Sequence, residues 1–273
     1  QNNYEQFGEL IRLEIKSASF PHPLREEGNT YNNKLYSKED HYNDSTVLIF
    51  IPKNYRPEKD VDFVIHFHGW FNNVDSVLTQ FKLIEQFTAS RKNAILIIPQ
   101  GPKNSPDSFG GKLEDKNGFK NFIIEIINSL NDKEKIKTKN IGNIILSGHS
   151  GGYRVIAYIL LQGGLSEKIK EVFLFDGLYA ELEKYFYWIE HYKGKFINIF
   201  TDEGGTKNDS EDFMQDFDAW NFKYYFTEEK NLDEDNLRNN KIIFIHTDLV
   251  HNDVIHIRNQ FQKFLKASLL NNL

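Results

Sequence analysis

The sequence predicts an α/β protein whose doubly wound, mostly parallel sheet is flanked by helices. Short apolar runs rich in Ile, Val and Phe recur along the chain, and most of them are continuous rather than alternating. Continuous runs of this length are typical of strands that are covered on both faces. Helical patterns lie between the runs, and this alternation indicates a parallel sheet with crossover helices.

The individual elements follow from the spacing of their apolar residues. The continuous runs predict buried strands at residues 47–51, 63–67, 94–98, 141–146, 172–175, 196–200 and 242–245. Residues 10–15 (LIRLEI) alternate apolar with charged side chains, which is typical of an edge or antiparallel strand. Apolar residues at helical spacing predict helices within residues 77–87, 119–130, 155–161 and 257–270.

The chain is predicted to form a single domain over residues 1–273. No repeat and no Gly/Ser-rich or Pro-rich linker divides it, and α/β folds of this length often form one domain. Residues 206–240 are expected to be a lid or insertion between the last two strands. Aromatic residues in this segment, and in the cluster at 185–188, could line a substrate site, but a helix packing its aromatic face onto the core is favoured.

Composition excludes several classes of function. The chain has no cysteine, so it has neither disulfides nor a cysteine nucleophile. Its net charge of −6 and the absence of a basic block argue against a nucleic-acid partner. No apolar run approaches the roughly 18 residues that a membrane span requires. Because the sequence begins with Gln1 rather than Met, we expect an extracytoplasmic protein: periplasmic, secreted or surface-attached.

The chemically informative stretch is GHSGG at residues 148–152, which matches the pattern G-x-S-x-G directly after a predicted strand and before a predicted helix. This setting is typical of a nucleophile elbow, in which a sharp turn exposes a serine hydroxyl at the edge of the sheet. Glycines flank the serine because side chains there would collide in so tight a turn. The alternative is a glycine-rich turn with a capping serine. The elbow interpretation makes Ser150 the nucleophile and the Gly151 N–H a donor to the oxyanion.

An elbow requires a second oxyanion donor from a loop after an earlier strand. The stretch FVIHFHGW at residues 63–70 supplies a His-Gly pair there, so the Trp70 N–H is the predicted second donor. His66 and His68 lie on one strand face and could bind a metal, but no third ligand has a suitable spacing, so no metal is predicted. His68 is expected to brace the loop. His68, Gly69, His149 and Tyr153 are the candidate substrate-lining residues.

The general base is expected near the last strand. His251 follows that strand and precedes the last helix, and its position favours it over His246, next to the strand, and His256, on the last helix. The acid that orients the base has two candidates, since Asp176 and Asp202 each follow a predicted strand and precede the histidine.

With serine, His-Gly loop and histidine in this order, residues 47–265 resemble the α/β-hydrolase superfamily. VLIFIPKNYRPEKDVDFVIHFHG is similar to the opening of secreted esterases, and GHSGGYRVIAYIL followed by VFLFD resembles type I thioesterases. In thioesterases the acid follows the strand after the elbow helix, and this resemblance favours Asp176 over the alternative acid Asp202. The chain differs from thioesterases in its first half and lacks the longer H-G-G-G run of some lipases.

The resemblance implies a serine hydrolase, carboxylesterase-like and of the EC 3.1 class, that acts on a small-molecule or glycan-linked ester without a cofactor. A thioesterase, peptidase or amidase would use the same serine chemistry, so these activities remain alternatives. A binding protein that kept the fold without catalysis is the third interpretation. The presence of Ser150, His251 and the His-Gly loop argues against it.

Overall fold

The computed structural model describes residues 4–273, and nine of its strands form one sheet. The strands of the described chain are β1 (Gly8–Glu14), β2 (Asn29–Tyr31), β3 (Lys34–Tyr36), β4 (Thr46–Pro52), β5 (Val61–Phe67), β6 (Ile95–Pro99), β7 (Ile141–His149), β8 (Ile169–Phe175), β9 (Lys195–Thr201), β10 (Tyr225–Glu228) and β11 (Ile242–Thr247). Their order in the sheet is β1-β4-β6-β5-β7-β8-β9-β11-β10, while β2 and β3 form a separate hairpin. The β1–β4 and β4–β6 pairs are antiparallel, and the remaining pairs of the large sheet are parallel.

Helices cover both faces of the sheet. They are α1 (Lys38–His41), α2 (Val74–Gln80), α3 (Leu83–Ser90), α4 (Gly118–Asp132), α5 (Tyr153–Gln162), α6 (Leu182–Tyr192), α7 (Lys207–Ala219), α8 (Glu234–Asn239) and α9 (Gln260–Lys266). One apolar cluster joins the strands to α4, α5, α6 and α7, and a second joins them to α2, α3 and α9. This two-sided burial explains the continuous apolar runs and confirms the predicted doubly wound, mostly parallel sheet.

The predicted strands are all present, including the alternating segment, which forms the antiparallel edge strand β1. Two helix predictions were wrong in extent. The predicted helix over 77–87 is two helices, because Lys82 adopts the left-handed region with φ = 50°. The predicted helix over 257–270 begins only at Gln260, after Asn259 at φ = 53°, so His256 precedes the last helix rather than lying on it.

Residues 206–240 contain α7, β10 and α8, and β10 pairs with β11 at the edge of the sheet. The sequence analysis missed β10, which is only four residues long. Phe213 and Phe217 of α7 are buried, and so are Tyr185 and Trp188 of α6, so these aromatic residues pack onto the core. A role of this segment as a lid stays a prediction.

Candidate active site

The turn after β7 has the geometry that the glycine pattern predicts. Ser150 begins a single 3-10 turn that leads into α5, and its φ of 50° is in a region that residues with side chains rarely adopt. A Cβ at Gly152 would lie 2.5 Å from the Phe67 carbonyl oxygen, and one at Gly148 would lie 2.7 Å from Ile156 Cδ1. Gly152 therefore has no room for a side chain against the backbone of β5, whereas a side chain at Gly148 would displace the end of the Ile156 side chain of α5.

The His-Gly loop after β5 lies against this turn. A Cβ at Gly69 would lie 2.6 Å from Ser150 Cβ and 3.2 Å from the Gly151 nitrogen, so the missing side chain allows the two backbones to approach. The Trp70 indole N–H donates to Ser108 Oγ over 2.8 Å. Within residues 4–273, no carbonyl or side chain accepts a hydrogen bond from the Trp70 backbone N–H.

His251 lies in the loop between β11 and α9, and its Nδ1 is 2.6 Å from an Asp176 carboxylate oxygen. An ionised carboxylate only accepts hydrogen bonds, so Nδ1 carries the proton and Nε2 of the neutral ring has a lone pair. His251 and Ser150 line the same cavity. The loop therefore brings the base predicted from the sequence to the serine turn.

Asp176 is fully buried at the end of β8 and itself has a left-handed φ of 46°. Besides His251, it accepts the Thr201 backbone N–H at 3.1 Å, the Thr201 hydroxyl at 2.8 Å and the Thr206 hydroxyl. Burial alone would raise the pKa of Asp176, but the hydrogen bonds from His251, Thr206 and Thr201 together hold it below its usual value. The carboxylate is thus charged and held in one orientation.

Asp202, the alternative acid, lies elsewhere. Its exposed carboxylate accepts hydrogen bonds from Lys207 Nζ at 2.7 Å and from His246 Nε2 at 3.1 Å. The hydrogen bond from Lys207, followed by that from His246, lowers the pKa of Asp202. His246 also contacts Glu228 at 2.8 Å, so this histidine belongs to a surface group of charges.

His149, the residue before Ser150, packs on His251. Their ring centroids are 4.7 Å apart, and His149 Nε2 donates to the His251 carbonyl oxygen over 2.9 Å. Burial, and then the neighbouring His251, lower the pKa of His149 to about 4. The His149 ring is therefore neutral near pH 7. It supports His251 in two ways, by a hydrogen bond to the His251 backbone and by packing on the His251 ring.

A cavity of about 600 Å³ opens in front of Ser150. Two of the four residues predicted to line the substrate site, His149 and Tyr153, line it. The full lining is Trp70, Phe71, Asn72, Gln80, Ser108, His149, Ser150, Gly151, Tyr153, Tyr179, His251 and Asn252.

His68 and Gly69 are not among the lining residues, although Gly69 lies against Ser150. His68 is buried behind the loop, where Nδ1 donates to the Gly69 carbonyl at 2.9 Å and Nε2 accepts the Gly101 N–H at 3.0 Å. His66 contacts Ser147 Oγ at 2.9 Å. In the part of the chain that the structure describes, no group of three or more His, Asp or Glu side chains is arranged to hold a metal ion.

The structure is similar to solved serine hydrolases and esterases over nearly its whole length. A feruloyl esterase module of Clostridium thermocellum, solved with sinapinate, matches with a TM-score of 0.57 and 12% identity, covering 100% of this chain and 94% of that one. A fluorophosphonate-binding serine hydrolase of Staphylococcus aureus matches with a TM-score of 0.55 and 11% identity over 96% and 99% of the two chains. The protein has the α/β-hydrolase fold.

A third similar structure is an S-formylglutathione hydrolase of Staphylococcus aureus, at a TM-score of 0.50 and 12% identity over 81% of this chain and 88% of that one. No protein-family model and no curated protein matches the sequence. The predicted resemblance to the α/β-hydrolases is thus confirmed for the fold. The finer likenesses to secreted esterases and type I thioesterases stay predictions. Among residues 4–273, no helix has the length and apolarity to cross a membrane.

The sequence analysis missed several residues of this candidate site. Tyr179 lies three residues after Asp176, lines the cavity and donates to the Gly204 carbonyl at 2.6 Å. Burial, and then the Asp176 carboxylate, raise the pKa of Tyr179 to about 12, although its hydrogen bond with Ser150 opposes this. Its position three residues after a candidate acid could have predicted that Tyr179 lies at the site. Nothing in the local sequence marks Thr201 or Thr206 as partners of Asp176.

Proposed function

We propose that this protein is a serine hydrolase that cleaves an ester bond through an acyl-enzyme on Ser150. In this proposal His251 is the general base and Asp176 orients it. The observation that carries it is the 2.6 Å contact between His251 Nδ1 and the buried Asp176, in a cavity that Ser150 also lines. The fold shared with esterases and serine hydrolases supports the same conclusion.

Acylation begins when His251 Nε2 takes the Ser150 hydroxyl proton and Oγ attacks the ester carbonyl carbon. The tetrahedral intermediate collapses, and the imidazolium returns its proton to the departing alcohol. Water then attacks the acyl-enzyme with His251 again as base, which releases the acid and restores Ser150. No cofactor takes part in these steps.

The N–H groups of Gly151 and Trp70 stabilise the oxyanion in this mechanism. The close approach of Gly69 to Ser150 and to the Gly151 nitrogen supports this role, because it brings the two loops together. The Trp70 N–H has no acceptor in residues 4–273, so it is available to a substrate. Backbone donors held in place before the reaction stabilise the charge that develops in the transition state.

Asp176 keeps His251 in the tautomer with its proton on Nδ1 and stabilises the imidazolium. The hydrogen bonds from Thr201 and Thr206 support this role, since they fix the carboxylate when His251 gains a charge. Asp202 is exposed and bonded to Lys207 and His246, which argues against it as the acid.

The nucleophile is tested with a fluorophosphonate probe, peptide mapping and hydrolysis of p-nitrophenyl acetate. We expect the label on Ser150, and we expect Ser150→Ala to lose labelling and at least about 10³-fold in kcat. Ser76→Ala, at the exposed start of α2, is the control and retains both. Turnover by Ser150→Ala at the wild-type rate would remove Ser150 from the mechanism.

The acid is tested with a matched pair of isosteric substitutions. Asp176→Asn should lower kcat by about 10⁴-fold, because an amide stabilises the wrong histidine tautomer and no longer offsets the imidazolium charge. Asp202→Asn should stay within about twofold of wild type. The reverse order of the two effects would make Asp202 the acid.

A panel of esters, thioesters and amides sharing one acyl group then defines the leaving group.

A further inference from the structure

Three aromatic side chains form an exposed row that leads out of the cavity. Trp70 and Phe71 line the cavity and are 39% and 56% exposed, and Tyr31, on the β2–β3 hairpin, is 38% exposed. The Tyr31 and Trp70 ring centroids are 5.4 Å apart and those of Trp70 and Phe71 are 6.5 Å apart. Large aromatic side chains seldom form a continuous exposed surface without a binding role.

The row is held in place before any ligand binds. The Phe71 N–H donates to the Ser105 carbonyl at 3.0 Å, and the Trp70 indole donates to Ser108 Oγ at 2.8 Å. Phe71 has φ = 55°. The buried ring of Tyr36, at the end of β3, packs beside the Phe71 ring, with 6.4 Å between the ring centroids. A surface fixed in this way loses little side-chain entropy on binding.

The cavity that the row extends is uncharged. No Asp, Glu, Lys or Arg is among its twelve lining residues. Its polar side-chain groups, apart from the two histidines and Ser150, are the amides of Asn72, Gln80 and Asn252, the hydroxyls of Ser108 and two tyrosines, and the Trp70 indole N–H. A charged ligand would be desolvated here without a counter-charge, which is costly.

We propose that this row, the Tyr31–Trp70–Phe71 platform, binds the sugar of a neutral saccharide ester, so that a sugar hydroxyl is the leaving alcohol. A sugar ring presents C–H groups on its faces, which the electron-rich faces of aromatic rings attract. It presents hydroxyls around its rim, which match the neutral amides and hydroxyls of the cavity. The proposal rests on the proposed esterase function and names its substrate class.

The reaction balances without a further reactant. The bond from Ser150 Oγ to the acyl carbon forms as the bond from that carbon to the sugar oxygen breaks, and His251 delivers its proton to that oxygen. Water then hydrolyses the acyl-enzyme, so the products are a carboxylic acid and the free saccharide.

The kinetic test compares the same acetyl group on two sugars and on p-nitrophenol. Wild type and Tyr31→Ala are assayed with O-acetylated cellotriose and maltotriose and with p-nitrophenyl acetate. We expect Tyr31→Ala to lower the ratio of kcat/KM for at least one acetylated trisaccharide to that for p-nitrophenyl acetate by at least tenfold, mainly through KM. Tyr192→Ala, a substitution at a similar exposure of 40% at the end of α6, is the matched control and leaves the ratio unchanged. An unchanged ratio in Tyr31→Ala overturns the saccharide assignment.

A binding test is independent of turnover. Calorimetric titration of Ser150→Ala with cellotriose and with maltotriose should show binding that weakens at least tenfold when Tyr31→Ala is added. The proposal is overturned if neither sugar binds, or if both bind equally well with and without Tyr31. It is also overturned if Tyr31→Ala lowers kcat/KM more for p-nitrophenyl acetate than for the acetylated trisaccharides. Absence of fluorophosphonate labelling and of p-nitrophenyl acetate hydrolysis instead overturns the esterase function, whatever the sugar titration shows.

Discussion

At the scale of the residue, two neighbouring strands end in strained positions. Ser150 follows β7 with φ = 50°, and Asp176 follows β8 with φ = 46°. Residues with side chains occupy this region at a cost of the order of 1–3 kcal/mol, so surrounding contacts must hold them there. Small neighbours make this possible: a Cβ at Gly177 would lie 3.0 Å from the Ser150 carbonyl oxygen. Because β7 and β8 are adjacent and parallel, the proposed nucleophile and acid follow the same edge of the sheet.

The substitution Gly204→Ala tests how strongly catalysis depends on the position of the Asp176 carboxylate. A Cβ there would lie 1.7 Å from Asp176 Oδ2, so Gly204→Ala must displace the carboxylate or its loop. We expect a loss of at least about 100-fold in kcat for p-nitrophenyl acetate, because small misplacements of catalytic groups are costly. The neighbouring exposed Glu203→Ala is the control. Normal activity in a folded Gly204→Ala protein would contradict Asp176 as the orienting acid.

His149 is expected to act as a positioning residue for His251. His149→Phe retains a ring against His251 but removes the donor to its carbonyl, whereas His149→Gln retains a donor and removes the ring. A hydrogen bond and an aromatic ring pair each contribute about 1 kcal/mol, so each variant, having lost one of the two, should lose about fivefold in kcat while KM stays within about twofold. Thermal melting separates this effect from unfolding. If kcat stays at the wild-type value in both variants, the two contacts do not serve catalysis.

At the scale of the element, a single residue divides a predicted helix in two. Apolar residues continue at helical spacing through residues 77–87, but Phe81 caps α2 and Lys82 enters the left-handed region before α3. The break matters to the site because Gln80, the last residue of α2, lines the cavity. Apolar periodicity alone does not reveal it, since both halves bury their apolar residues in the same cluster.

The strain at Lys82 predicts an unusual response to glycine. Lys82 is exposed with φ = 50°, so Lys82→Gly should raise the free energy of unfolding by about 0.5–1 kcal/mol as the left-handed strain is relieved. Glu85→Gly, within α3, should lower it by about 1 kcal/mol. Denaturant titration of both variants measures the difference. A loss of stability in Lys82→Gly would mean that the Lys82 side chain contributes more than its strain costs.

At the scale of the whole molecule, buried histidines should make the fold sensitive to acid. Burial lowers the pKa of His66 to about 3 and that of His149 to about 4, from a usual value near 6.5. Below pH 6.5 the unfolded chain binds protons that the folded chain does not, so stability falls as the pH decreases toward these values. Their contribution is complete above about pH 6.5 and decreases through the interval below it.

The variant His149→Gln isolates one of these groups. The shift of His149 corresponds to about 2 kcal/mol at pH 5, which the variant should no longer lose between pH 7.5 and pH 5. The quantity to measure is the difference between the free energies of unfolding at the two pH values, which cancels any change in packing. An undiminished difference would show that His149 is protonated in the folded protein or does not titrate in this range.

The extracytoplasmic location, the single domain and the lid formed by residues 206–240 stay predictions. No lining residue of the cavity comes from that segment, whose strand β10 extends the sheet instead. A short strand at a sheet edge buries few side chains on both faces, so its sequence lacks the continuous apolar run of the central strands.

Local residue patterns were enough to predict the sheet, the tight turn at Ser150 and the loop that contains His251. These features depend on local signals: a continuous apolar run for a strand buried on both faces, and glycines where a tight turn excludes a Cβ. Only the tertiary structure showed that Asp176 contacts His251 while Asp202 contacts Lys207 and His246, because both acids follow a strand and precede the histidine. It likewise placed Tyr31 beside Trp70 and His149 against His251. Such contacts join segments that are distant along the chain, and no local pattern of residues encodes which of them meet.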